Sequence, residues 1–250
     1  MDFEIFNTQK INRKNAFTLA EVLITLGIIG VVAALTIPSL ITNYKAHKLH
    51  SQFLKSYSTI QQAYKLMQND DVSMDPTTYN GFTNPFYKTF MKYLQAPSDC
   101  GYSGERMGSS DYYKRTNPIC FNNTSTKYYS DYAGKRNIGE ALFDDGQVAM
   151  QDGTLLLFEN GSTQNGNSGK VFISVDLNGF NNPPNRWGYD LFTFQLIDEE
   201  IKTMGEAGTR YTDFTQYCNP EASNSLNGIA CAQKAKEDAD YFKKLIKEFK

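Results

Sequence analysis

Ala16-Phe17-Thr18-Leu19-Ala20-Glu21-Val22-Leu23-Ile24-Thr25-Leu26 runs on into Gly27-Ile28-Ile29-Gly30-Val31-Val32-Ala33-Ala34-Leu35-Thr36-Ile37-Pro38, and this stretch decides how the rest of the chain is read. From Val22 to Leu35 the sole polar residue is Thr25, and the apolar character carries on to Ile41. Counted from Phe17, that supplies the 20 or so residues a helix needs to span a bilayer. Glu21 breaks the pattern. A carboxylate at mid-bilayer depth costs at least roughly 2.5 to 3.5 kcal/mol, so an acid kept in such a run calls for a function and a partner. A cut between Ala16 and Phe17 would create that partner, because the new Phe17 ammonium would lie one helical turn from Glu21, or face Glu21 of a neighbouring chain.

Ala-Phe-Thr-Leu-x-Glu, followed by an apolar run closed at Pro38, resembles the prepilin leader of type IV pilins and type II secretion pseudopilins. The resemblance covers roughly residues 10 to 70. It implies that a prepilin peptidase cuts between Ala16 and Phe17, that the new Phe17 amine is methylated, and that Glu21 is the acid kept at the fifth mature position. Pro38 falls where the family usually carries proline. The family usually places Gly before the cut, where this chain has Ala16. Two other readings of the same residues exist: a secretory signal cut near Val32-Ala33-Ala34, and an uncleaved signal anchor. Both leave Glu21 without a counter-charge.

The 250 residues, less a 16-residue leader, suit one globular domain behind a long anchor. A net charge of -2 gives no basic footprint for nucleic acid. Lys10, Arg13 and Lys14 flank the apolar run and place the leader in the cytoplasm by the positive-inside rule. The expected localisation is therefore the inner membrane, single-pass, with the head periplasmic or extracellular, although Lys45, Lys48 and Lys55 lie on the other flank.

Beyond Pro38 the helical pattern resumes. Leu49, Phe53, Tyr57, Ile60, Tyr64 and Met67 recur at spacings of three and four, which is one helix face. A helix from Phe17 to Gln68 would measure roughly 78 Å, far longer than a membrane is thick, so its second half must pack on something else. Gly27, Gly30, Ala33 and Ala34 form a small-residue surface for close helix approach. The resemblance further implies that the stretch between Gly30 and Pro38 can lose helicity in an assembled filament.

Asn84-Pro85 starts a short helix carrying Phe86, Phe90 and Leu94 and stopping before Pro97. From Ser98 to Arg136 periodicity disappears in a segment rich in Tyr102, Tyr112, Tyr113, Tyr128, Tyr129 and Tyr132, readable as a contact surface or as a loop packing its own rings. Gln147 to Gln151 and Thr154 to Glu159 form a hairpin around Asp152-Gly153. Lys170 to Asp176 and Leu191 to Ile197 are further strands, with Val171, Ile173 and Val175 on one face and Phe172 on the other. Ile229 to Phe249 reads as one helix after a loop from Asn219 to Gly228.

Cys100, Cys120, Cys218 and Cys231 all follow the anchor, as suits disulfides in an oxidising compartment. Nearest-neighbour pairing, Cys100 with Cys120 and Cys218 with Cys231, is the expected one of three connectivities. Asp176-Leu177-Asn178-Gly179 through Asp190 supplies oxygen donors from Asp176, Asn178 and Asp190, which could hold Ca²⁺ with turn carbonyls or could instead cap the turn. The segment also resembles the Asp-x-Asn-Gly, Pro-Asn, Trp-Gly, Asp pattern near the end of many pseudopilin-like sheets, and some major pseudopilins bind calcium in such a loop. Evidence of catalysis is lacking in the pattern. His47 and His50 have no further ligand nearby, Gly101-Tyr102-Ser103-Gly104 lacks the spacing of a nucleophile elbow, and no phosphate-cradling loop is present.

The expected fold is α+β and pilin-like: a long N-terminal α-helix, membrane-spanning over its first half, packed on an antiparallel β-sheet with disulfide-tied loops. The expected parts are a leader at 1–16, an anchor at 17–41, the exposed helix half at 42–70 and a head at 71–250. The resemblance implies a filament subunit, of a minor kind given its 234-residue mature length. Its implied partners are other pilin or pseudopilin subunits, the prepilin peptidase, an inner-membrane assembly platform and membrane lipid. The alternative is a solitary membrane-anchored binding domain that uses the tyrosine-rich loop.

Overall fold

The computed structural model describes residues 17–79, 84–101, 119–121, 128–139, 142–160, 170–197 and 199–249. The leader, Ala16, and Tyr102, Tyr112 and Tyr113 lie outside the described residues. The chain divides into two compact units, Met1–Asn43 and Tyr44–Lys250, and one helix, α1 (Leu19–Asn69), supplies residues to both.

In the first unit α1 is helical from Leu19 through Pro38. Leu23, Ile24, Leu26, Ile28, Ile29, Val31 and Leu35 are all exposed, as is Phe17 at 86%. The helix is long and apolar enough to cross a membrane, and its apolar window is covered by no other part of the described chain. Thr25 and Thr36 fold their hydroxyls back onto the carbonyls of Val22 and Val32, which is how a hydroxyl is satisfied on a helix without water.

In the second unit the remainder of α1 packs on a six-stranded antiparallel meander, β1 (Ser98–Gly101), β2 (Gln147–Ala149), β3 (Leu155–Asn160), β4 (Val171–Asp176), β5 (Leu191–Ile197) and β6 (Glu200–Thr203), ordered as in the sequence. The helical stripe read from spacing is the buried face: Phe53, Ile60 and Met67 are fully enclosed, and Leu49 and Tyr64 nearly so. Phe53 meets Phe192 edge-on at 5.0 Å and Phe242 at 6.1 Å, while Tyr57 stacks on Phe194 at 5.4 Å. Full burial of one such ring contributes about 1.5 to 3 kcal/mol.

Both faces of the sheet are covered. Val148, Leu156, Phe158, Ile173, Val175, Phe192 and Phe194 point towards α1. Ala149, Leu155, Leu157, Phe172 and Leu191 point the other way, into Phe143, Phe180, Trp187 and Tyr129. Two-sided burial explains why β3 and β4 read as near-continuous apolar runs rather than alternating ones. The expected split of Val171, Ile173 and Val175 from Phe172 is present.

Several boundaries differ from the sequence reading. The short helix α2 (Phe86–Met91) has Pro85 at its N-cap and ends before Leu94, while the Asn84 amide donates to the Thr78 carbonyl instead. Two short polar strands, β1 and β6, were not expected. The C-terminal helix is two, α4 (Cys231–Glu237) and α5 (Tyr241–Glu248), broken where Asp238 and Asp240 intervene, and a further turn of helix, α3 (Phe214–Tyr217), is capped by Asp213. An aspartate between two helical turns bonds nearby backbone amides more readily than it propagates a helix, as Asp238 does to the Asp240 N–H at 2.9 Å.

Gly146 shows how closely the layers approach. With φ of +149°, a Cβ there would sit 2.2 Å from the Tyr87 ring, so the backbone conformation and the packing both require glycine.

Candidate functional site

Thr18 and Glu21 form a reciprocal cap at the start of α1. The Thr18 N–H and hydroxyl donate to Glu21 Oε2 at 2.8 and 2.9 Å, and the Glu21 N–H donates to Thr18 Oγ1 at 3.2 Å. This is a capping box, in which a Thr and a Glu three residues on satisfy each other's orphan backbone donors. The carboxylate is thereby turned back towards residue 17. Among the sequence-predicted residues, Phe17 is exposed next to this cap. At Gly30, as at Gly27, nothing beyond the adjoining backbone of its own helix lies within 4 Å of where a side chain would begin. Pro38 lies inside the continuous helix, and the Thr42 hydroxyl donates to its carbonyl at 2.9 Å. Ala16 lies outside the described residues.

Asp176 and Asp190 come together as the sequence suggested, but fully buried. Asp176 Oδ1 accepts from the N–H groups of Asn178 and Gly179, and its Oδ2 from the Tyr129 hydroxyl at 2.8 Å. Asp190 accepts the Arg186 N–H on Oδ1 and the Asn185 N–H on Oδ2. Every carboxylate oxygen of the pair is thus engaged by the chain itself. The Asn178 amide donates to the Asn182 carbonyl. Burial, and then the charge of Asp176, push the Asp190 carboxyl well above its ordinary range, against the pull of the backbone N–H groups of Arg186, Asn185 and Asp190 itself. Burial, with Asp176 next, likewise raises the Tyr129 hydroxyl. Both carboxylates are held as turn caps are, while Asn178 Oδ1 is buried with no hydrogen-bond partner among the described residues.

Disulfides join Cys100 to Cys120 and Cys218 to Cys231, with Cα atoms 5.7 and 5.1 Å apart. The described tyrosines of the aromatic segment are mostly interior: Tyr129 and Tyr132 are buried and Tyr128 is half-buried. His47 is exposed and contacts Ser51, and His50 lies against the Phe242 ring.

Sequence reasoning missed Asp144, Asp145 and Glu159, which form a three-carboxylate group among the described residues. The signal was available. Once the hairpin is registered with Ala149 opposite Leu155 and Gln147 opposite Leu157, two residues further along Asp145 falls opposite Glu159.

Residues 11–37 match the family model described as the prokaryotic N-terminal methylation motif. The chain therefore carries the prepilin-type N-terminus of type IV pilins and pseudopilins, and the motif and apolar helix together fit a membrane-anchored protein. Comparison with curated proteins gives no match, and comparison with solved structures gives none either.

Proposed function

We propose that the chain is a structural subunit, of a minor kind, of a type IV pilus or type II secretion pseudopilus, serving protein secretion, adhesion or DNA uptake. Prepilin peptidase cuts between Ala16 and Phe17 and methylates Phe17. Residues 17–41 hold the precursor in the inner membrane with the head on the periplasmic side, and an assembly platform then stacks subunits into a helical filament. The observation that carries this reading is the Glu21 carboxylate, set in an exposed apolar helix and turned by Thr18 towards residue 17. A Phe17 ammonium on an incoming or neighbouring subunit supplies the missing counter-charge, and in a low-dielectric surround that attraction is stronger than on a wet surface. The apolar face supplies affinity, and the acid supplies register. The role is structural rather than catalytic.

Two variants separate the cap from the charge. Glu21→Ala removes both and Glu21→Gln keeps an amide that can still cap. Both are expected to be cleaved normally and to yield no sheared filaments, while the N-terminal mass of the wild type corresponds to methylated Phe17. Abundant filaments from Glu21→Ala would overturn the reading, and rescue by Glu21→Gln would reduce Glu21 to a helix cap. The alternative, a solitary binding domain using the tyrosine-rich loop, draws no support from Tyr129 and Tyr132, which are interior. Cysteines placed in neighbouring anchor helices distinguish the two, because a filament predicts crosslinked ladders.

A further inference from the structure

Asp145 and Glu159 face each other at the end of the β2–β3 ladder remote from its turn. The Asp145 N–H donates to the Phe158 carbonyl at 3.2 Å, and the Asn160 N–H donates to Asp145 Oδ2 at 2.7 Å, so the pairing continues past Gln147. With Asp144, one oxygen from each of three carboxylates lies within 4.8 Å of the others. Glu159 follows Leu155 and Leu157 on the loop-covered face, is 6% exposed, and has its Oε2 buried with no hydrogen-bond partner. Neither Asp145 nor Glu159 makes an ion pair among the described residues.

Like charges opposite each other weaken a strand pair, and a buried acceptor left unpaired costs its desolvation. A cation removes both penalties together. Three carboxylates without nitrogen or sulfur donors select a hard ion. Oxygens this close can share one cation at the ligand distances of about 2.3 to 2.6 Å and the flexible geometry of Ca²⁺, whereas Mg²⁺ demands a near-ideal octahedron and gives up its waters reluctantly.

We infer that Asp144, Asp145 and Glu159 form a structural site for a divalent cation of the Ca²⁺ type, clamping the open end of the β2–β3 hairpin. It lies at the opposite end of β3 from the Asp176–Asp190 pair, since Asp176 is registered with Leu155 and Glu159 with Phe172. The site is independent of the filament reading. Burial, with the charges of Asp145 and Asp144 adding to it, pushes the Glu159 carboxyl up to about 9, and burial pushes Asp145 up to about 6. A proton is therefore the competing occupant when the cation is withheld.

The test uses the full chain in detergent micelles, with Tb³⁺ luminescence and Ca²⁺ displacement, alongside thermal unfolding in EDTA and in Ca²⁺. Wild type is expected to bind Tb³⁺ saturably, release it to Ca²⁺ and melt higher with Ca²⁺ than with EDTA. Glu159→Gln preserves shape while removing the charge, and is expected to weaken binding by roughly tenfold or more and to cancel the melting shift. Should that variant not fold, Asp144→Asn, at a half-buried position, reads the same loss. No saturable binding by wild type, or binding that survives both substitutions, would overturn the site.

Discussion

The two halves of α1 solve the same problem in opposite ways. Before Asn43 its large apolar side chains are exposed, Leu23, Ile28 and Leu35 among them. After Tyr44 its apolar side chains form a single stripe, and Phe53, Ile60 and Met67 are enclosed by the sheet and the C-terminal helices. A helix apolar all round needs an apolar surround, whereas an amphipathic one brings its own core. The difference teaches that one continuous helix can be stabilised by two unrelated media, and that damage to one half should leave the other nearly untouched.

That separation can be broken by paired truncations. Phe53→Ala is expected to lower the unfolding free energy of the head by roughly 3 to 5 kcal/mol, the range for emptying a buried aromatic site, read by chemical denaturation in detergent. Ile28→Ala should leave that transition in place and weaken only membrane retention. An equal shift from both would mean that the anchor half is packed on the head.

A second prediction concerns pH. The folded chain holds a proton on Glu159 up to about 9 rather than its ordinary 4.5, and on Asp145 up to about 6 rather than 3.8. Their contribution to stability is complete below the unfolded values and is lost as pH climbs through the folded ones. In EDTA the protein should therefore weaken between about pH 5 and 9, with a limiting slope of about 1.4 kcal/mol per pH unit for each proton. Asp152, Asp213 and Asp238 are shifted downwards and act only in the acid range. Glu159→Gln should flatten the slope, and an unchanged slope would mean that another group is titrating. The smallest effect is expected at the Lys55–Asp152 ion pair, 2.7 Å long but open to solvent. Lys55→Ala should cost less than about 1 kcal/mol, and a larger loss would show that the helix is held by charge as well as by its aromatic stripe.

The periodic parts of this architecture were legible and the short polar parts were not. The Phe53–Ile60–Met67 stripe announces itself because burial on a fixed period leaves a repeating apolar trace, and Val171-Phe172-Ile173 because burial on both faces leaves an unbroken one. Glu200-Ile201-Lys202-Thr203 does not, because an edge strand carries charge on purpose to discourage pairing with other chains. The C-terminal helix reads as unbroken in sequence because Ala235 and Phe242 keep helical spacing across the break at Asp238. The cap is hidden in a different way: Thr18 reads as part of a motif, while its bond to Glu21 shows only in the backbone geometry. Glu159 was absorbed into an apolar run, and its meaning emerged only from the cross-strand partner that the hairpin assigns to it.

The meander order of the sheet also sets a sequence of events. Because each strand from β2 onward bonds to the one just before it in the chain, the sheet can grow by successive addition as residues become available, with little loop entropy lost once the long connection from β1 to β2 is closed. The ring of Phe242, near the far end, is different: it closes on Phe53 near the beginning. The head is therefore latched by its last helix, and a chain halted before α5 would carry an assembled sheet whose aromatic floor still lies open.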